Sequence, residues 1–242
     1  MERDDPIVGA RKPRFGLDGK QSLPLVARHE RICIALPISR QVFRPFPRQG
    51  NAVNGFDFTL HMRRVCEDMV TRLEPLRHVD LQRVAISFSQ TRKAGSYGKH
   101  ASLTALRFAG GAMETVWRGR RWRMPIVKDL AGREMLYILT FYLPRFLNLP
   151  FERKLVTIVH ELWHIGPRFD GDIRRFAGRC FAHSGSRRHY DAHARDLAHR
   201  WLALEPPEPL YEFLRYDFQE LVRRHGRVLG QRFRVPKPAP VD

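Results

Sequence analysis

The chain has 242 residues, 43% of them apolar, which is enough to bury a core and excludes a wholly disordered protein. Lys and Arg total 43 against 25 Asp and Glu, so the net charge is +18, a balance that suits a polyanionic partner such as nucleic acid. The three cysteines, Cys33, Cys66 and Cys180, stand far apart and exclude a disulfide framework and a four-cysteine zinc ribbon.

Residues 1–55 are rich in Pro, Gly and Arg and read as a basic arm, partly ordered at most, with a short strand near 31–36. Residues 1–20 carry no apolar signal segment. The most apolar stretch, 135–143, is too short to span a bilayer as a helix. A cytoplasmic protein with no membrane contact is therefore expected.

The ordered domain is expected over 56–225. Asp57 is placed to cap a helix running to about Leu73, with Phe58, Met62, Val65, Met69 and Leu73 as its buried stripe and Pro75 as its stop. Val84, Ile86 and Phe88 alternate with Ala85, Ser87 and Ser89, the pattern of a half-buried strand. Further strands are expected over 101–108, near 113–117 after Gly110-Gly111, and from Trp122 after Gly119. The aromatic run at 135–142, bounded by Gly132 and Pro144, reads as a central strand.

After Pro150 the period turns helical. Helices are expected over about 151–165, 187–204 and 209–225, and a basic Pro-rich tail from 226 to 242. This order, helix then strand meander then helices, predicts an α+β fold with a mostly antiparallel sheet.

The chemistry concentrates at residues 160–164, His-Glu-Leu-Trp-His, an HExxH pattern inside the expected 151–165 helix. Residues four apart lie about 40° apart in azimuth and about 6 Å along the axis, so both imidazoles can reach one tetrahedral Zn²⁺. Glu161 lies beside them as a general base for zinc-activated water. Thr157, His160, Glu161 and His164 form a polar stripe opposite Leu155, Ile158, Val159 and Leu162. Six of the 11 histidines fall within residues 160–199, which favours a metal cluster there.

A catalytic zinc takes a third protein ligand and keeps one open position. The candidates are His183, His189 and Asp170; Pro167 and Asp170 stand where an HExxHxxGxxH pattern has Gly and His. Asp170 and Asp172 are also candidate acceptors for an imidazole N–H, or the sides of a turn at Gly171. Tyr190 and His189 are possible oxyanion donors, or else packing and capping residues of the 187–204 helix. His193 and His199 read as helix-face residues.

Residues 157–165 (TIVHELWHI), 169–172 (FDGD), His183-Ser-Gly and Tyr190-Asp191 resemble the SprT-like (Spartan-type) metallopeptidases and related phage and bacterial families. Residues 103–111 (LTALRFAGG) and 136–144 (LYILTFYLP) resemble the strands that precede the zinc helix in that group. The resemblance spans about 56–204 and implies a zincin-like fold. It further implies zinc on His160, His164 and His183, with Glu161 catalytic. Zincins receive peptides at a strand edge beside the zinc helix; residues 135–142 or the hairpin before them are candidates for that edge. The resemblance also implies action on DNA-associated proteins, although the cysteine pairs of the family's zinc ribbon are missing here.

Residues 118–123 place Arg118, Arg120, Arg121 and Arg123 around Trp122 at an expected hairpin, either a grip for phosphates with a stacking indole or a solvated turn whose Trp packs on the core. Arg174-Arg175, Arg187-Arg188 and Arg223-Arg224 are further basic pairs. The leading expectation is a zinc metallopeptidase acting on protein or peptide. Alternatives are a basic nucleic-acid-binding protein with a structural or degenerate zinc site, and a metal-dependent hydrolase of other bonds.

Overall fold

A computed structural model describes residues 55–91, 98–176 and 187–241, together with the backbone of 30–34. Helix α1 (Phe58–Arg72) starts where the Asp57 carboxylate accepts the Leu60 amide at 3.0 Å. Its stripe of Phe58, Met62, Val65, Met69 and Leu73 is buried throughout. Leu73 closes the helix by donating its amide to Met69, and Pro75 sits in the 3₁₀ turn that follows.

Strands β1 (Glu30–Ile34) and β2 (Phe56–Asp57) precede α1 in sequence, and β3 (Val84–Gln90) follows it. Next come β4 (Ala101–Ala105), β5 (Glu114–Trp117), β6 (Arg120–Arg123), β7 (Val127–Lys128), β8 (Glu134–Met135) and β9 (Tyr137–Leu143). The apolar run at 135–142 thus supplies β9, the central strand of a β3-β9-β4 sheet. Beside β9, β3 runs parallel with Val84 opposite Tyr137, and β4 runs antiparallel with Ala101 opposite Phe141.

This arrangement corrects the expected meander. Most of the strand pairings are antiparallel, but β3–β9, one of the longest, is parallel, and β4 lies beside β9 instead of β3. The two most apolar strands thereby share the interior. The half-burial expected of β3 is corrected as well, because Ala85 and Ser87 are as buried as Val84 and Ile86. A second apolar cluster of Ala85, Leu106, Val127, Met135, Ile138 and Phe233 covers the face opposite α1.

Helices α2 (Phe151–Trp163) and α3 (Arg187–Ala203) follow the sheet. The single helix expected over 209–225 is broken into α4 (Glu208–Tyr211), a 3₁₀ turn (Glu212–Arg215) and α5 (Phe218–His225). The physical reason lies at the break. Asp217 accepts the Glu220 amide at 2.7 Å, which starts a new helix. Buried Lys154 donates to the Leu214 and Tyr216 carbonyls at 2.8 and 2.7 Å, taking the place of helical partners.

The segment from 226, expected to be a tail, is instead built into the fold. Strand β10 (Val228–Arg232) pairs antiparallel with β1 and parallel with β2, and β11 (Ala239–Pro240) pairs with β6. The Gln231 amide donates to Thr59 Oγ1 at 3.0 Å, and the Phe233 amide donates to Ser87 Oγ at 2.9 Å. At Gly230 a Cβ would lie 2.8 Å from the Phe88 ring, so only glycine lets β10 approach this closely. Among the described residues no helix is long and apolar enough to cross a membrane.

The two carboxylate caps give a stability test. Asp57→Ala and Asp217→Ala should each lower the unfolding free energy by about 1 kcal/mol. Because they cap different helices, the losses should add to within about 0.5 kcal/mol in the double variant, as read by urea unfolding.

Candidate metal site

Helix α2 lies with Leu155, Ile158, Val159 and Leu162 fully buried in the core. Its opposite stripe of Thr157, His160, Glu161 and His164 is partly exposed. On that stripe the Nε2 atoms of His160 and His164 face each other at 3.2 Å, with the rings at 77°. Two imidazoles held on one tetrahedral zinc at ordinary Zn–N lengths place their nitrogens about 3.3–3.4 Å apart. The separation of the pair is thus close to that of two nitrogens on one such ion.

Residues just past the helix lock its end. Ile165 and Ile173 form a β-bridge, and the Gly166 amide donates to the Asp172 carbonyl at 3.2 Å. A Cβ at Gly166 would meet that carbonyl at 2.8 Å. The Arg174 amide donates to the His164 carbonyl at 2.7 Å, and Arg174 Nε donates to the Trp163 carbonyl at 3.0 Å. Its guanidinium lies 3.7 Å over the Trp163 ring.

Helix α3 closes one side of the site. Tyr190, only 2% exposed, stacks on His164 at 4.9 Å and meets His160 edge-on at 4.7 Å. Its hydroxyl donates to the His160 carbonyl at 3.3 Å, so Tyr190 acts as a packing wall of the site. The next residue, Asp191, places Oδ1 3.1 Å from His160 Nδ1. In the sequence Asp191 stands out only within the Tyr190-Asp191 resemblance and with no role, because its partner lies 31 residues away.

Glu161 turns toward the sheet. Its Oε2 accepts the Leu103 amide of β4 at 2.7 Å. Burial pushes its carboxyl up from the ordinary 4.5 to about 7, against the opposing pull of that amide and of Lys99. The strand edge beside α2 is therefore β4. The 135–142 run cannot supply that edge, because β9 is flanked on both sides.

The candidate third ligands separate. His189 is exposed on α3 and does not join the histidine pair. Asp170 accepts from Arg168 Nε at 2.9 Å and from the Asp172 amide at 3.1 Å, which commits it to its own turn. Asp172 is buried and accepts from the Gly110 and Ile173 amides and from Arg175, so neither aspartate serves an imidazole. His183 lies outside the described residues. Among the described residues no third His, Cys, Asp or Glu groups with the pair. His193 packs on Trp163 at 4.5 Å and His199 meets Glu152 at 3.1 Å, both as helix-face residues.

The basic hairpin forms as β5–β6 around a two-residue turn, Arg118-Gly119, with φ of 52° and 75°. Of the two readings of Trp122, packing on the core is the one observed. Trp122 is 9% exposed and faces inward, whereas Trp117 is 36% exposed and carries the Arg118 guanidinium 4.5 Å over its ring. Arg123 is paired with Glu114. The Arg174-Arg175 and Arg223-Arg224 pairs are likewise committed, to Trp163, Asp172 and Glu220.

No family model, curated protein or solved structure matches this chain.

The Glu161 environment gives a pH test on metal-free protein. Between its ordinary pH of titration near 4.5 and its folded value of about 7, the folded state binds more protons than the unfolded state. Stability contributed at this site is therefore highest near about pH 4.5 and falls as pH rises toward about 7. Glu161→Gln cannot ionise and should flatten that part of the curve, as read by urea unfolding at about pH 5 and about pH 7.5.

Proposed function

We propose that this chain is a zinc-dependent metallopeptidase of zincin type, related to the SprT-like group. The observation that carries the reading is the convergence of His160 and His164 at 3.2 Å with Glu161 one residue away, between α2 and the β4 edge. His160 and His164 hold the ion, and His183 is the third ligand. Zinc held there acidifies water and polarises a scissile carbonyl. Glu161 takes the proton from the attacking water and delivers it to the leaving amine.

The substrate is a polypeptide. The β4 edge, which pairs with no further strand among the described residues, offers backbone groups to an extended chain. A cytoplasmic setting accords with three unpaired-by-pattern cysteines, of which Cys66 is a buried free thiol. Purified protein should carry about one zinc per chain. Glu161→Gln should keep that zinc and lose hydrolysis of an unfolded protein substrate by about 10²–10⁴-fold. Full activity in this variant would overturn the reading.

A second reading is favoured by the hairpin, where Arg118, Arg120 and Arg121 have no carboxylate within ion-pair distance among the described residues. We infer nucleic-acid contact there, which in the peptidase reading directs the enzyme to proteins bound on DNA. Replacing all three by Ala should lower the slope of log K against log salt by about 2–3. Measured by oligonucleotide anisotropy, that change should be the same in the Glu161→Gln background.

A further inference from the structure

We propose that Asp191 is a positioning residue for the metal pair, holding His160 in the tautomer that leaves Nε2 free to bind an ion. The inference rests on the zinc reading above. A neutral imidazole has one N–H and one acceptor nitrogen. An ionised carboxylate only accepts, so the 3.1 Å contact places the hydrogen of His160 on Nδ1. The lone pair is then on Nε2, the atom that faces His164 Nε2 at 3.2 Å.

The same logic orders the pair without metal. Of two facing nitrogens in hydrogen-bond contact, one donates and the other accepts. Asp191 makes His160 the acceptor, so the hydrogen between the rings belongs to His164. The site is thus half prepared: His160 already presents its lone pair, and His164 must shift its hydrogen from Nε2 to Nδ1, through solvent, when an ion enters.

Asp191 reaches His160 because of its neighbour. Tyr190 is buried against both imidazoles and bonds the His160 carbonyl, which fixes the rotation of α3 over α2. The adjoining residue then falls behind the His160 ring. Its side chain is 46% exposed, so water competes for the carboxylate and the effect is moderate. Loss of an outer partner of a zinc-bound histidine typically costs 10–100-fold in metal affinity.

The test uses the full chain and zinc alone. Zinc affinity is read by competition with a chromophoric chelator for wild type, Asp191→Ala, Asp191→Asn and Asp191→Glu. Asp191→Ala and Asp191→Asn should bind about 10–100-fold more weakly, and Asp191→Glu, which keeps an ionised acceptor, should fall between them and wild type. Imidazole ¹⁵N spectra of the metal-free protein should show the Nδ1–H form of His160 in wild type and its loss in Asp191→Ala. Wild-type affinity in Asp191→Ala, or an unchanged His160 tautomer, would overturn the role of Asp191 while leaving the zinc reading intact. A wild-type protein that binds no zinc would overturn the zinc reading and this inference together.

Discussion

Burial of one face of α2 aims everything at the site. Leu155, Ile158, Val159 and Leu162 are fully enclosed, and each such side chain stabilises by about 1.5–3 kcal/mol. Their sum far exceeds what any surface contact of the polar stripe can oppose. At 3.6 residues per turn the stripe carrying His160, Glu161 and His164 then has one direction to face. The β-bridge between Ile165 and Ile173, with Arg174 on the last carbonyls of the helix, keeps its C-terminal end from fraying beneath His164.

The sheet under α2 depends on cover for both of its faces. Strand β9 is apolar at nearly every position, so an open face would leave Ile138 and its neighbours in water. Helices α1 and α2 cover one side, and Phe233 with the residues around it covers the other. The C-terminal segment is therefore part of the core despite its basic composition. Its strand β10 bridges β1 and β2, and its backbone bonds to Thr59 and Ser87 join α1 to β3.

Several of the arginines bind backbone carbonyls or a shared carboxylate of the fold. Arg63 donates to the Leu81 and Val84 carbonyls, Arg72 to that of Leu204, and Arg174 to that of Trp163. Arg107 and Arg83 converge on Glu134. The planar guanidinium fork suits such carbonyl and carboxylate contacts better than a lysine ammonium does. These contacts fix the guanidinium groups in place without removing their charge, whereas the arginines at the turn of the β5–β6 hairpin have no carboxylate within ion-pair distance among the described residues.

The helix and strand periods, the Asp57 cap and the two faces of α2 were legible in the sequence, because each depends on residues within a few positions of one another. The pairing of β9 with β3 in parallel was not, since adjacent apolar strands carry no mark of direction. Of the two causes of the break at Tyr216, the Asp217 cap is local, whereas Lys154 was hidden because it lies 62 residues away. At the site, His160, Glu161 and His164 were apparent from spacing alone, and their alignment on one helical face follows from helix geometry. Tyr190 against the rings, Asp191 behind His160 and the Leu103 amide on Glu161 were decided only by tertiary packing. Each of these joins elements distant in sequence, and their contact is set by how α3 and β4 settle against α2.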